Sequence, residues 1–247
     1  MKINYLIIQD RSINLLVIVI KIYEVFMPRM TKLENQQDIT VAKTKGRGRP
    51  KCFDEQAALE KAMLLFWQYG YEATSISDLT QALGITAPSL YSSFGGKAEL
   101  FEKCLALYIQ NEACAMDEIF KQTKSARIAI EIYLFENLKR LIQKDKPSGC
   151  MLVTSTMNCS NEHTELQQQL LDKRLHTKSK IFDRLKMGQE SGDISPQADI
   201  HSMTDFYTTL LQGMTIQARD GATTHQLERV VYMAMQAWDV FETDTSN

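Results

Sequence analysis

From Asp54 onward, apolar side chains recur at intervals of three and four, the spacing that gives a helix one buried face, and no alternating strand pattern competes. Leu59, Ala62, Met63 and Phe66 mark a first helix over Asp54–Tyr69, with Gly70 where a helix commonly ends. Thr74 and Ser75 offer hydroxyls to start the next helix. Ser75 and Asp78 stand three apart as in a capping box, and Ile76, Leu79, Ala82 and Leu83 form its apolar face up to Gly84. Thr86 is the following N-cap, Ala87 and Pro88 take the first turn, where proline forfeits no hydrogen bond, and Ser89–Phe94 complete a short third helix. Two short helices across a glycine-centred turn predict a helix-turn-helix.

The remainder reads as longer helices over Glu99–Lys121, Ala126–Lys144, Cys150–Asn158, Glu165–Ser191, Asp199–Arg219 and Thr224–Trp238. Lys146-Pro147-Ser148-Gly149, the stretch Ser191–Pro196 and Asp220-Gly221 separate them. The expected fold is all-α with nine or so helices. A three-helix DNA-binding domain over residues 54–101 precedes a larger helical domain over residues 102–241.

Composition supports a packed protein: of 247 residues, 44% are hydrophobic and 23% charged, which excludes a disordered or coiled-coil-only chain. The net charge of -2 hides an asymmetry. Up to Lys51 ten basic residues face four acidic ones, giving +6, so residues 52–247 carry -8. Residues 43–53 read as a basic arm, with Lys43, Lys45, Arg47, Arg49 and Lys51 in nine acid-free positions. Gly46-Arg47-Gly48-Arg49-Pro50 resembles an AT-hook, whose arginines, here Arg47 and Arg49, would enter a narrow minor groove. Residues 1–42 read as a non-native or disordered extension. The longest charge-free run there, Ser12–Ile20, falls short of the roughly 20 residues of a bilayer span, and its flanks do not suit an export signal. Translation is expected to begin at Met27 or Met30, and no membrane association is expected.

Gly48-Arg49-Pro50 followed by Ala62, Phe66, Gly70-Tyr71, Thr74, Ile76, Leu79, Gly84-Ile85-Thr86, Leu90-Tyr91, Phe94, Lys97 and Leu100-Phe101 resembles the N-terminal domain of TetR-family transcriptional regulators. Thr80 departs from the alanine usual beneath the recognition helix, and Ser92 and Ser93 replace an aromatic residue and a histidine, so base preference does not carry over. Ser148–Leu152 and Ala218–Ala222 resemble segments of the C-terminal domain in one branch. The resemblance implies a homodimeric repressor on a palindromic double-stranded DNA operator, released by a small-molecule effector.

A recognition helix entering the major groove N-terminus first would bring Thr86, Ala87, Ser89 and Tyr91 to base edges or phosphates. Lys97 and Thr74 complete the expected DNA-binding set with Arg47 and Arg49. Residues 54–101 carry six acids against two lysines, so affinity is expected to lean on the arm and on dimerisation. By the resemblance the last two long helices pair across the dimer through Met203, Phe206, Leu210, Met214, Leu227, Val231, Ala234 and Trp238, setting two recognition helices about 34 to 36 Å apart. It also places an effector among Leu105, Tyr108, Ile109, Tyr133, Met151, Phe182 and Phe206.

Five cysteines without paired spacing imply a reducing, cytoplasmic setting. Cys150 follows a Pro-Ser-Gly loop near an expected helix N-terminus, a setting that lowers a thiol pKa, and Cys159 lies nine residues on; a thiol sensor of electrophiles or oxidants is one alternative. A ligand-independent architectural DNA-binding protein is another. No cofactor, metal site or catalytic residue is expected. Gly95-Gly96-Lys97-Ala98 lacks the first glycine and the hydroxyl of a phosphate loop, no nucleophile elbow occurs, and His163, His176, His201 and His225 are scattered.

Overall fold

The computed structural model describes residues 54–155 and 163–243, and all regular structure among them is helical. The basic arm and the extension before it, with Arg47 and Arg49, lie outside the described residues, as does Cys159.

Four helices build the reading head: α1 (Glu55–Tyr69), α2 (Ile76–Leu83), α3 (Ala87–Phe94) and α4 (Lys97–Asn111). Each start has a local cause. The Asp54 carboxylate accepts the Ala57 N–H at 3.1 Å, and the Ser75 hydroxyl accepts from Asp78 N–H while the Asp78 carboxylate accepts from Ser75 N–H, a complete capping box. Thr86 caps α3 through Ser89 N–H, with proline in the first turn. Between α2 and α3 the chain reverses at Gly84, whose φ of 68° is left-handed, where a side chain would strain the turn. Leu79, Leu90 and Phe94 bury against α1 and α4, and Phe101 meets Phe66 and Tyr71 edge-on at 5.1 and 5.2 Å. Buried Met151, Leu166 and Leu170 from later in the chain complete this core, so it does not close at residue 101.

The body comprises α5 (Met116–Gln122), α6 (Ala126–Leu141), α7 (Met151–Thr154), α8 (Thr164–Glu190), α9 (Ile200–Arg219), α10 (Thr224–Gln236) and α11 (Trp238–Thr243). Its core runs along α6, α8, α9, α10 and α11 through Ile130, Leu134, Ile181, Leu185, Tyr207, Val231 and Trp238. At one end, buried Arg184 of α8 donates to the Thr123 and Lys124 carbonyls, and the Asp193 carboxylate accepts from Ala126 N–H at the start of α6.

Several helix limits differ from the sequence expectation. The single helix over Glu99–Lys121 is two, because Arg140 donates to the Glu112 carbonyl at 3.0 Å and Lys146 pairs with the largely buried Glu112 carboxylate at 2.5 Å. These distant cations hold a break that local pattern does not encode. Of the helix expected over Cys150–Asn158, whose residues 156–158 lie outside the described ones, Met151–Thr154 is helical and Ser155 gives its carbonyl to Tyr71 N–H of the head. The last helix splits at Ala237, and α6 ends at Leu141 rather than Lys144.

Candidate nucleic-acid interface

The caps that start α2 and α3 also orient the candidate surface. Buried Leu79, Leu90 and Phe94 turn one side of the pair inward, leaving the N-terminal face of α3 outside. Thr86 and Ser89 are exposed there with their hydroxyls 3.0 Å apart, Ala87 is half-buried, and Tyr91 is 52% exposed. Tyr91 therefore stands outside the buried core of the head, one turn along from Ala87. These four predicted residues form one continuous patch.

Two other predicted contacts lie differently. Thr74 is buried, 1% exposed, and donates its hydroxyl to the Gly70 carbonyl at 2.7 Å, so its place corrects the expectation of a surface contact: it ties the α1–α2 turn together. The helix-starting hydroxyl is that of Ser75 alone. Lys97 begins α4 as expected, but its ammonium sits 4.3 Å above the Tyr71 ring and reaches the Glu72 carbonyl at 3.4 Å. A Cβ at Gly96 would stand 2.8 Å from a Glu99 carboxylate oxygen, so an acid already faces the first turn of α4. Hydrogen bonds from the Ser75 hydroxyl and N–H hold the Asp78 carboxyl below the ordinary range, keeping it charged beside the reading unit.

The body redistributes the residues expected to bind an effector. Leu105, Tyr108 and Met151 are buried in the core of the head, Tyr133 is buried in that of the body, Phe182 and Phe206 pack at the body's margin, and Ile109 is exposed. They divide between two cores, because the resemblance that selected them does not say which core a residue joins. Burial pushes the Tyr108 and Tyr133 hydroxyls well above their ordinary range. An open cleft of about 700 Å³ lies elsewhere, between Lys61, Leu64 and Tyr69 of α1 and the 144–148 loop.

The expected dimer residues are corrected in the same way. Met203, Met214, Leu227, Val231, Ala234 and Trp238 are all at most 4% exposed within a single chain and form its core. Phe206 and Leu210 are half-buried. The large hydrophobic side chains left outside on α10 and α11 are Val230, Tyr232, Met233 and Val240, and a Cβ at Gly213 of α9 would meet nothing within 4 Å.

Cys150 is the N-cap of the four-residue α7, and its sulfur accepts from the Tyr108 hydroxyl at 3.4 Å. Burial outweighs this bond, the neighbouring Leu152 and Val153 N–H groups and the charge of Arg174, and pushes the thiol up, against the activated thiol that the sensor alternative requires. Burial likewise raises Cys114, up to about 12. His163 stacks edge-on to Tyr71 and His201 packs on Phe182, and no metal-competent cluster occurs among the described residues.

Periodicity did not single out one junction. Arg219, at the end of α9, donates to the Trp67 carbonyl at 3.2 Å, the Gln68 carbonyl at 2.8 Å and the Thr154 hydroxyl at 3.1 Å. Trp67 donates its indole N–H to the Gly149 carbonyl at 3.0 Å. The only available signal was the resemblance of the two segments that hold Gly149 and Arg219 to one branch's C-terminal domain.

A family model described as "Bacterial regulatory proteins, tetR family" matches residues 58–104, from within α1 to within α4. The chain is 35% identical over 202 residues to the HTH-type transcriptional repressor ComR of Escherichia coli K12, covering 81% of this chain and 96% of that protein. It is 29% identical over 200 residues to the repressor BdcR of the same organism, again over 81% of this chain and 96% of the relative. Among solved structures, a cysteine mutant of the TetR family transcriptional regulator CifR, complexed with a 26-bp double-strand operator DNA, superposes with a TM-score of 0.73 at 32% identity. The match covers 77% of this chain and all of that one.

Proposed function

The chain belongs to the TetR family of bacterial transcriptional regulators, a DNA-binding protein and not an enzyme, and we propose that it acts in the cytoplasm as a homodimeric repressor, released from a palindromic operator by a small-molecule effector. The observation that carries this reading is the α3 surface. Thr86, Ala87, Ser89 and Tyr91 face outward on the second helix of a helix-turn-helix, and Tyr91, large and half-exposed, stands outside the buried core of the head.

Two subunits would meet through Val230 and Met233 on α10, Ala237 at the break and Val240 on α11, beside Phe206, Leu210 and Gly213 on α9. Positions 230, 233, 237 and 240 recur at helical spacing, and the bare surface at Gly213 admits a close neighbour. The head is acidic, so Arg47 and Arg49 and the other cations of residues 43–51 would supply much of the phosphate attraction. An effector favouring the DNA-incompetent spacing by about 3 kcal/mol would shift the balance more than a hundredfold, enough for release. The thiol-sensor alternative draws less support, since burial raises Cys150.

A fluorescence-anisotropy titration tests the reading, using the DNA upstream of the protein's own gene beside a scrambled duplex of equal length. Saturable binding to the native fragment alone, at two subunits per site, is expected. Deleting residues 43–51 should flatten the log-log salt dependence by about four units per subunit. Equal binding to both duplexes would point instead to an architectural protein.

A further inference from the structure

The last turn of α1 contains no basic residue, so its carbonyls lack the local cation that often satisfies a helix C-terminus. Arg219 supplies it from 151 residues away, its two guanidinium nitrogens on the Trp67 and Gln68 carbonyls. The bonding is reciprocal, because the Trp67 indole donates back to the Gly149 carbonyl and Tyr71 N–H donates to the Ser155 carbonyl at 2.9 Å. Gly149 is fitted to this contact. Its φ is 87°, and a Cβ there would stand 2.8 Å from Arg219 Cγ and 3.1 Å from the Thr215 carbonyl oxygen, so only glycine lets α9 approach the loop this closely.

We propose that Arg219 is a positioning residue for DNA reading: it locks the end of α1 to the end of α9, fixes the angle of the head on the body, and thereby selects the half-site spacing that a dimer accepts. The planar guanidinium suits the task, since it holds two carbonyls in one fixed geometry where a single flexible cation would allow rotation. Charge-assisted bonds make the lock stiffer than neutral contacts would. The inference rests on the repressor reading for its consequence and on these bonds for its mechanism, and the two are tested separately.

The mechanism is read without DNA. In the full-length protein, Arg219→Ala should raise hydrogen exchange at amides 66–72 by about tenfold or more, leaving α8 and the first turns of α1 at wild-type rates. Trp67→Phe keeps an aromatic ring in the core while removing the bond to Gly149 and part of the indole's volume, and should change the same amides in the same direction. Unchanged exchange at 66–72, or a rise spread evenly over the whole chain, overturns the lock. The consequence is read on the upstream fragment with one or two base pairs inserted or removed between its half-sites. The wild type should discriminate between spacings by about tenfold or more, and Arg219→Ala should compress that preference to about threefold or less. An equal loss at every spacing would mean plain destabilisation and sink the positioning role. Failure of the wild type to bind any of the fragments specifically would count against the repressor reading, while the exchange result still decides the lock.

Discussion

The head and the body pack apolar helix faces in different ways, and the difference explains which of them announces itself. The head uses two eight-residue helices, each started by its own side-chain cap, so its geometry is specified within a few residues of where it is needed. The body uses helices of up to 27 residues, held by bonds such as Arg184 to the Thr123 and Lys124 carbonyls that span some sixty positions. Local rules thus define a reading surface, while the binding properties of the body depend on which of several apolar stripes meets which.

The sharpest challenge to this contrast is whether the two regions unfold separately. Phe101→Ala in the head and Trp238→Ala in the body each remove a fully buried ring, and each should cost about 3–5 kcal/mol in urea denaturation. Met151, Leu166 and Leu170 close the head's core, so the loss should be felt in both regions. The only two tryptophans, Trp67 and Trp238, sit one in each core, and with both fluorine-labelled in the wild-type chain their two resonances should report coincident transitions. A separate, earlier Trp67 transition would make the head an independent domain.

A second contrast lies within the body, between the buried stripe and the exposed one. Met233 is 71% exposed, so Met233→Asp should weaken self-association at least tenfold by sedimentation while leaving the far-ultraviolet dichroism unchanged. Met203, fully buried, should behave oppositely, with Met203→Asp unfolding the chain. If Met233→Asp stays a wild-type dimer, the subunits meet elsewhere.

Within the head the same logic separates Tyr91 from Thr74. Tyr91→Ala should cost about 1–3 kcal/mol of operator binding and change stability by no more than about 0.5 kcal/mol. Thr74→Val removes the hydroxyl from the Gly70 carbonyl at nearly constant shape, so about 1 kcal/mol of folding stability should go with no change in operator preference. A specific binding defect in Thr74→Val would restore it to the interface.

These contrasts also mark what the amino-acid sequence made legible. The capping box at Ser75 and Asp78, the turn at Gly84 and the proline start of α3 were readable because every partner lies within four residues. Tyr91 was readable as exposed only through family resemblance, since an aromatic residue one position after Leu90 fits a small core equally well. Six of the eight expected dimer residues are core because a helical stripe records burial without recording against what. Arg219 was overlooked because a charged residue ending a helix resembles ordinary macrodipole compensation, and its partners on α1 are visible only in three dimensions.

The gentlest test compares one titrating cap from each region. In the head, hydrogen bonds from Ser75 lower the Asp78 carboxyl; in the body, those from Ser202 and His201 lower that of Asp199 at the start of α9. A carboxyl held low in the folded chain contributes its full stability above its unfolded value, about 3.9, and loses that contribution as pH falls through the lower folded value. Urea midpoints of the wild type should therefore fall below about pH 4. Asp78→Asn and Asp199→Asn keep an oxygen that can accept the same N–H bonds but no longer titrate, so each should show a flatter fall. Equal flattening would mean that head and body share one cooperative transition at acid pH, as their joint core requires. If only Asp78→Asn changes the profile, with Trp67 reporting ahead of Trp238, the locally capped head yields first, and its short helices depend on their caps more than the long body helices depend on theirs.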